Sequence, residues 1–399
     1  MLPSPKALLL TAAGLVACAA APAQFLDSFD QDGIDGWFPM TGDGTPRMTF
    51  TPMGGFARIH ADGTTDPYNV WWVLIKRDIS GSIDLEKLAD PAYELRVEAR
   101  VRTSAAPRRV NFMLNTQRTT DFHEHLREYD LADTTGWHTI SMTTHDFDAV
   151  PGDSVFVQLA VTDFGPGEYD VDIDYYRADV VRRDAAAPDV GEPLVYHPPV
   201  ADPASFMHHP GASHDSVVHA SYPRVNFNDW RLETATGPVR ALTVMDNQWV
   251  VLRWDFGDLS GATAAGSGLL EVTTAAAALG GDYVAALGGD LGIEFGKVRV
   301  FEILGGDAGW DQGTVTLESL LAGQPVDEVI NGQMIIDLDV ATQPGGKTWF
   351  TLSRPVMQRL LNGTTKGLVL RPLGAISASF LATEQGTDSG PRLHFSTAP

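Results

Sequence analysis

The sequence predicts an all-β protein with two antiparallel β-sandwich, or jelly-roll, domains joined by a proline-rich linker. Short runs in which apolar and polar residues alternate recur along the chain, as is typical of half-buried strands. Turn-forming residues separate these runs, with 39 glycines and 25 prolines among 399 residues. No strong 3.6-residue repeat of an amphipathic helix appears in the first half.

The first predicted domain covers residues 25–183. Its strand-like runs lie at 70–79, 93–102, 109–117, 137–144, 154–163 and 169–181. Glycine, proline and aspartate separate them, which favours an antiparallel sandwich. The linker covers residues 184–203 and contains five prolines, so we expect it to be extended and semi-rigid.

The second predicted domain covers residues 204–397, with strand-like runs at 249–256, 268–273, 297–303, 334–340 and 367–373. One helix is predicted at 354–361, because Pro355 stands near its start and Gly363 just after its end. The alanine-rich segment 273–287 is a second helix candidate, which the pair Gly280 and Gly281 weakens.

Charge and cysteine content exclude several function classes. The formal net charge is −23, from 51 acidic and 28 basic residues, so a general nucleic-acid binder is not expected. An anionic substrate stays open, because a local basic cleft can exist within an acidic surface. Cys18 is the single cysteine of the chain, so an intrachain disulfide or a cysteine-based zinc site cannot form.

Residues 1–23 are predicted to be a signal peptide. Lys6 precedes an apolar run, and Ala21-Pro22-Ala23 has the small-x-small form of a signal peptidase site. A lipoprotein alternative stays open, because the four residues that end at Cys18 resemble a lipobox. Either route predicts export, to the extracellular space or the periplasm. No later stretch is long and apolar enough for a transmembrane segment.

A polar stripe is predicted over residues 109–131, where two strands of the first domain follow each other. Alternate side chains of a strand share one face, so the apolar positions face the core and the polar ones face outward. We expect one outward surface to gather these side chains from both strands, above a tryptophan: Asn111, Met113, Asn115, Gln117, His125, Arg127, Tyr129, and Trp71 or Trp72.

These residue types fit a uronic-acid polysaccharide, which can be cleaved by β-elimination. Such a reaction needs donors that neutralise the sugar carboxylate, a base for the proton at C5 and an acid for the leaving oxygen. It requires no cofactor. The predicted catalytic residues are His125, Tyr129, Arg127 and His123, and the predicted substrate-binding residues are Asn115, Gln117, Asn111 and Trp72.

Other interpretations of the stripe stay open. A polar outer face is what any solvated antiparallel sheet shows, and binding without cleavage uses the same residue types. Glycoside hydrolysis would need two carboxylates at a defined separation. The carboxylates available for it are Asp121, Glu124 and Glu128.

Two clusters are candidate metal sites. The acidic loop 30–36 holds Asp30 and Asp32, with Asp174 as a distant partner, and such oxygen ligands suit a structural Ca²⁺. The loop lacks the full EF-hand pattern, and an Asx turn is the alternative. Four histidines after the linker are candidate ligands of a transition metal, with a polar domain entrance as the alternative: His208, His209, His214 and His219.

Both domains resemble modules of carbohydrate-active proteins. The first opens with FLDSFD at 25–30, followed by Gly36 and Trp37, and closes with VDIDYY at 171–176. In these stretches it resembles the carbohydrate-binding jelly rolls of polysaccharide-degrading enzymes. In residue types alone, its stripe is similar to the Arg/Gln/His/Tyr sites of jelly-roll alginate lyases, whose local motifs it does not reproduce.

The second domain is similar to the DNRLRE-type, disaggregatase-related sandwich modules of secreted proteins, some of which bind alginate. The similarity rests on NFNDWRLE at 226–233, WVVLRWDFGDL at 249–259, the helix before Gly363, and GLVL at 367–370. It implies a carbohydrate-binding module. The second sandwich would then hold the first one to its substrate and raise the effective concentration.

Three functions follow as hypotheses. The first is an exported lyase that acts on an acidic, alginate-like polysaccharide. The second is a non-catalytic, two-module glycan-binding surface protein, which could be lipid-anchored at Cys18. The third is a structural surface protein without a glycan ligand.

Overall fold

The computed structural model describes residues 24–30, 33–67, 69–122, 124–144, 147–162, 165–183, 189–194, 200–235, 237–280, 295–386 and 388–399. The predicted signal peptide, Cys18, Asp32 and His123 lie outside these residues. The described part is built almost entirely from antiparallel strands, in two sandwiches, as the sequence predicts. None of its helices has the length and apolar character needed to cross a membrane.

The first sandwich consists of two six-stranded sheets. Its elements are β1 Phe25–Asp27, β2 Phe38–Gly42, β3 Arg47–Pro52, β4 Ala57–Asp62, β5 Trp72–Asp78, α1 Leu85–Leu88, β6 Tyr93–Thr103, β7 Arg108–Thr116, β8 Leu126–Leu131, β9 His138–Thr144, β10 Val155–Thr162, β11 Glu168–Arg182 and β12 Pro193–Leu194. One sheet has the order β3-β4-β11-β6-β9, with β1 beside β11. The other, called the outer sheet below, has the order β12-β8-β7-β10-β5-β2.

Alternation along the strands of the outer sheet creates its two faces. Val73 and Ile75 of β5, and Val110 and Phe112 of β7, are fully buried between the two sheets. Their neighbours in sequence point to the opposite face, because the side-chain period of a strand is two. That opposite face carries Trp72, Lys76 and Asn111.

Part of the predicted linker belongs to the first sandwich. Pro193 and Leu194 form β12, which pairs with Tyr129 and Glu128 at the edge of β8. Asp189 accepts a hydrogen bond from Thr143 at 2.7 Å. Residues 189–194 therefore cover a sheet edge that would otherwise expose unpaired backbone groups.

The second sandwich is one eleven-stranded sheet folded over on itself. Its elements are β13 His214–His219, β14 Arg231–Thr234, β15 Gly237–Met245, β16 Gln248–Arg253, β17 Gly268–Leu279, β18 Lys297–Ile303, α2 Leu317–Leu321, α3 Val326–Val329, β19 Ile330–Leu338, β20 Lys347–Leu352, α4 Arg354–Leu361, β21 Gly367–Leu373, β22 Ile376–Leu381 and β23 Arg392–His394. The strand order is β19-β18-β21-β16-β15-β22-β17-β20, with β13, β14 and β23 beside β16, β15 and β17. Leu252 of β16 and Phe380 of β22 meet in its core.

The two helix predictions for this domain have different outcomes. The helix at Arg354–Leu361 is confirmed as α4, with a proline in its first turn. The alanine-rich helix is wrong for the residues that the structure describes, because β17 runs to Leu279 and its alanines pair with β22. Sheet pairing overrides the helix propensity of alanine here. Residues 281–287 of that prediction lie outside the described part.

A buried ion cluster joins the two sandwiches. Arg359 of α4 contacts Asp130 of β8 at 2.5 Å and Glu302 of β18 at 2.8 Å. All three side chains are at most 9% exposed. Burial raises the pKa of Asp130, and the Arg359 charge opposes that rise. Burial alone would lower the pKa of Arg359, but the two carboxylates raise it, so the guanidinium is held charged.

Further hydrogen bonds cross the same interface. The fully buried guanidinium of Arg109 donates to the backbone carbonyls of Met334 and Ile335, each at 3.1 Å. Arg108 donates to the Asn331 side chain at 2.5 Å. The strand pair β18 and β19 is thereby held against the outward face of the outer sheet.

Substitution of Arg359 with methionine should destabilise the protein strongly, since it leaves the carboxylates of Asp130 and Glu302 buried without their cation. We expect the free energy of unfolding to fall by about 3–5 kcal/mol, measured by urea denaturation. The matched control is Arg224→Ala, which removes an exposed pair with Glu318 and should change stability by less than about 1 kcal/mol. Equal effects of the two substitutions would contradict a stabilising role for the cluster.

Candidate functional site

A cleft of 460 Å³ lies between the two sandwiches, within the size range of ligand sites. One wall is the outward face of the outer sheet, and the other is formed by β18, β19 and β21 of the second sandwich. The residues around it are Met40, Asp43, Val70, Trp71, Trp72, Leu74, Lys76, Asn111, Met113, Phe122, Leu126, Glu128, Gln158, Thr162, Phe295, Lys297, Arg299, Asp337 and Leu373.

Trp72 supplies an aromatic surface on the first wall. Its indole N–H donates to the Asp43 carboxylate at 2.9 Å, which fixes the orientation of the ring. The side chain is half-buried, and Leu74 and Met40 continue the apolar surface beside it. A flat ring that is oriented and partly exposed can stack on the apolar face of a sugar.

Asn111 places an unsatisfied acceptor on the first wall. The residue is 3% exposed, and its amide nitrogen donates to the Thr162 hydroxyl at 3.3 Å. Its amide oxygen is buried and has no donor among the residues that the structure describes. A buried acceptor without a partner is costly, so a ligand hydroxyl would be stabilised at this position.

Glu128 faces Asn111 across the β7–β8 pair. It is buried, and its carboxylate lies 3.6 Å from the Arg109 guanidinium. The two opposite charges partly neutralise each other. Glu128 therefore does not make this part of the cleft strongly acidic.

The second wall carries charged groups on neighbouring strands. Lys297 and Arg299 share one face of β18, and the carboxylate of Asp337 in β19 lies 3.4 Å and 3.8 Å from them. The Asp337 carboxylate is thus shared between two cations, Lys297 and Arg299. Leu373 of β21 and Phe295 add apolar surface to the same wall.

Arg371 lies beside this wall, directly across from Arg299 in the β18–β21 pair. Its guanidinium stacks over the Trp249 ring at 4.2 Å and over Phe301 at 5.4 Å. Burial, and then the nearby Arg299 charge, lowers the pKa of Arg371 to about 10. No carboxylate in the described residues forms an ion pair with it, yet it stays charged at neutral pH.

Lys76 is the corresponding cation on the first wall. Its ammonium lies 4.1 Å from the centre of the Phe156 ring. Burial lowers its pKa, and no acidic side chain described by the structure forms an ion pair with it. Lys76 on the first wall and Arg371 beside the second wall are therefore partly desolvated cations over aromatic rings, and neither forms an ion pair with an acidic side chain that the structure describes. They stand out in a chain whose net charge is −23.

The predicted catalytic Tyr129 does not reach this cleft. It is 1% exposed and lies in the core of the first sandwich, edge-on to Phe112. Its hydroxyl donates to the Ser141 carbonyl, and burial raises its pKa to about 12. This environment suits a structural hydrogen bond and leaves no room for a substrate.

The other predicted residues are distributed over several environments. Arg127 pairs with Asp189 at 2.5 Å, and the His125 ring lies edge-on to Phe147. Gln117 donates to Asp153 at 2.7 Å in an exposed loop. Asn115 is buried and accepts a hydrogen bond from Gln158. Of the predicted catalytic and substrate-binding residues, Trp72 and Asn111 line the cleft, as does Met113 of the predicted stripe, whereas His123 lies outside the described residues.

The prediction that one surface carries both parts of the stripe is wrong. Asn111 pairs with Glu128 and Phe112 pairs with Arg127, so Arg127 and Tyr129 are on the core side of the sheet. The sequence contains a signal for this orientation, because Tyr129 alternates with apolar Leu131, as expected of inward positions. Residues of the second wall were missed, although Lys297 and Arg299 stand out as paired charges on one strand face.

The alternative carboxylates do not form a pair in the cleft. Glu128 lines it, but Asp121 and Glu124 are exposed and do not.

The calcium prediction rests partly on Asp32, which is not described, and Asp174 pairs with Arg100 at 2.9 Å. His209 contacts His394 at 2.9 Å. The described residues contain no group of three or more His, Cys, Asp or Glu placed to hold a metal ion.

No family model and no curated protein matches the chain. Among solved structures, the CBM22-1 xylan-binding domain of Paenibacillus barcinonensis Xyn10C is 13% identical, with a TM-score of 0.26, over 41% of this chain and 96% of that one. The tandem of two such domains from the same protein is 9% identical, with a TM-score of 0.27, over 96% and 99% of the two chains.

An arabinose-bound α-L-arabinofuranosidase is 11% identical, with a TM-score of 0.28, and the match covers 38% of this chain and 25% of the enzyme. Identities and TM-scores this low carry no conclusion about a ligand. The DNRLRE-type resemblance and the similarity to alginate lyases therefore stay predictions.

Replacement of Tyr129 by phenylalanine should destabilise the first sandwich, because it removes a buried hydrogen bond and leaves the Ser141 carbonyl without this donor. We expect a loss of about 1–2 kcal/mol in the free energy of unfolding, measured by urea denaturation. Unchanged stability, combined with loss of a polysaccharide-cleaving activity, would instead support the catalytic role that the sequence predicted.

Proposed function

We propose that the protein is an exported glycan-binding protein and that the cleft between its sandwiches binds one strand of an acidic polysaccharide. The observation that carries this proposal is a pair of partly desolvated cations: Lys76, which lines the cleft, and Arg371, which lies beside its second wall, across from Arg299. Neither has an acidic partner among the described residues. A desolvated cation without a counter-ion is unfavourable, so a bound anion would stabilise both cations.

The other groups of the cleft favour a sugar over a simple anion. Trp72 offers a ring that is already oriented by Asp43. Asn111 offers a buried amide oxygen that can accept from a hydroxyl. Carboxylates along a uronate chain would pair with the cations, and the rings and hydroxyls between them would contact Trp72 and Asn111. A few polar groups among apolar ones are typical of a ligand site.

Binding without cleavage is the proposal that the lining residues support. A β-elimination needs a base and an acid beside the sugar ring, and the described residues around the cleft include no histidine and no tyrosine. Cations that neutralise a carboxylate are present, but they serve binding equally well. The lyase hypothesis stays open as an outcome of the experiment below.

Affinity electrophoresis in gels that contain alginate, polygalacturonate or neutral xylan tests the proposal. We expect retardation in the two acidic polysaccharides and little in xylan. Arg371→Met and Trp72→Ala should each weaken binding by about 10- to 100-fold, because each removes a charged hydrogen bond or a stacking surface. Trp72→Phe keeps an aromatic ring and should retain most of the affinity.

The control for charge is Arg224→Ala. It removes an exposed cation of the second sandwich that pairs with Glu318 and does not line the cleft, so this variant should bind as the unmodified protein does. Equal retardation of the unmodified protein and all variants, or equal retardation in all three gels, would contradict binding in the cleft. Ultraviolet absorbance of an unsaturated uronate product, measured on the same polysaccharides, would instead favour the lyase hypothesis.

A further inference from the structure

A second cavity, of 300 Å³, lies within the second sandwich. It is formed where β16 ends and where the segment after α4 leads into β21. It shares no lining residue with the cleft described above. The residues around it are Arg253, Trp254, Asp255, Phe256, Gly257, Ser260, Ala308, Leu360, Leu361, Gly363, Thr365, Lys366 and Gly367.

Two residues that line this cavity each carry a buried N–H donor without an acceptor in the described part of the chain. The indole nitrogen of Trp254, a residue only 6% exposed, and the Nε of Arg253 each lack a hydrogen-bond partner in the described part of the chain. Buried donors of this kind are rare in folded proteins, because a buried donor that is left unpaired has lost its hydrogen bonds to water without replacement. Both belong to residues that line the same cavity.

The charges around the cavity favour an anion. Arg253 uses one terminal nitrogen for the Ala308 carbonyl at 3.2 Å, and its guanidinium lies 5.7 Å from the Trp310 ring. Lys366 adds an ammonium, which also contacts the Gly363 carbonyl. The acid at this site is Asp255, whose side chain is 70% exposed and 4.0 Å from Arg253. An exposed carboxylate at that distance neutralises little of the two positive charges.

The remaining lining is suited to a sugar ring. Phe256 and Leu360 supply apolar surface, and Ser260 supplies a hydroxyl. Gly257 and Gly363 have positive φ angles of 55° and 75°, and a Cβ at either position would meet nothing within 4 Å. The backbone at these two turns is therefore open, so a ring could approach it closely.

We propose that this cavity is a second, independent binding site, which takes a sugar that carries an anionic group, a carboxylate or a sulfate. The anionic oxygens accept from Trp254 and Arg253 and pair with Lys366, and the sugar ring packs on Phe256. This site lies outside the cleft of the proposed function. With two sites on one chain, a long polysaccharide binds more tightly than either site binds alone.

Nuclear magnetic resonance of the tryptophan indole groups tests this site and the cleft separately in one titration. The full chain is labelled with ¹⁵N-tryptophan, and the Trp254 and Trp72 signals are assigned with Trp254→Phe and Trp72→Phe. The probes are hexasaccharides of alginate, which carry carboxylates, and heparin hexasaccharides, which carry sulfates as well. A neutral cellohexaose is the control.

We expect the Trp254 indole signal to shift saturably with an anionic hexasaccharide and to stay in place with cellohexaose. Lys366→Met and Arg253→Met should each weaken that response at least tenfold and leave the response of Trp72 unchanged. The Lys366 variant keeps the test valid if loss of the Arg253 contacts disturbs folding. A response to heparin alone would assign the sulfate as the ligand group.

A Trp254 signal that stays in place while Trp72 saturates would overturn this second site and leave the cleft intact. A Trp254 response without any Trp72 response would support the second site and contradict the cleft. If neither signal moves with alginate or heparin, both proposals fail. An unchanged Trp254 response in both cation variants would also overturn the assignment.

Discussion

The buried contact of Arg359 with Asp130 and Glu302 is the interaction on which the rest of the structure depends. It sets a strand edge of one sandwich against the outward face of the other, and Arg109 adds hydrogen bonds to two carbonyls at the same place. Charges at this depth are stable only when they are paired. The contact therefore favours one relative placement of the domains, and that placement creates a cleft with two walls.

The proposed role of these two unpaired cations in binding an anion depends on this placement of the domains. On a fully exposed surface, water would solvate both the Lys76 ammonium and the Arg371 guanidinium. Lys76 lines the cleft and Arg371 lies beside its second wall. Both are partly desolvated, and each lies over an aromatic ring. The chain as a whole is acidic, with a net charge of −23, so under the proposed function these two cations would attract a flexible anionic chain that enters the cleft. Compact acidic surfaces would be repelled.

Much of the fold could be predicted from the sequence, because alternation and turn residues are local signals. The β-sandwiches and the helix at Arg354–Leu361 follow from them. Of the site residues predicted from the sequence, Trp72 and Asn111 line the cleft, and their role in binding stays a prediction. The inward face of Tyr129 is indicated by its alternation with Leu131, but which β8 residues lie opposite Asn111 depends on the register between β7 and β8, and a single strand pattern does not set that register. The second wall depends on how two domains dock, and no local pattern in a single sequence encodes that contact.

A structure of the full chain with a bound alginate hexasaccharide tests the central claim most directly, because it shows which walls the sugar touches. The account predicts one strand in the cleft, with a ring against Trp72, a hydroxyl on the Asn111 amide oxygen, and carboxylates within hydrogen-bond distance of Lys76 and Arg371. A strand that contacts one sandwich alone, or that lies outside the cleft while these two cations stay without an anion, would contradict it.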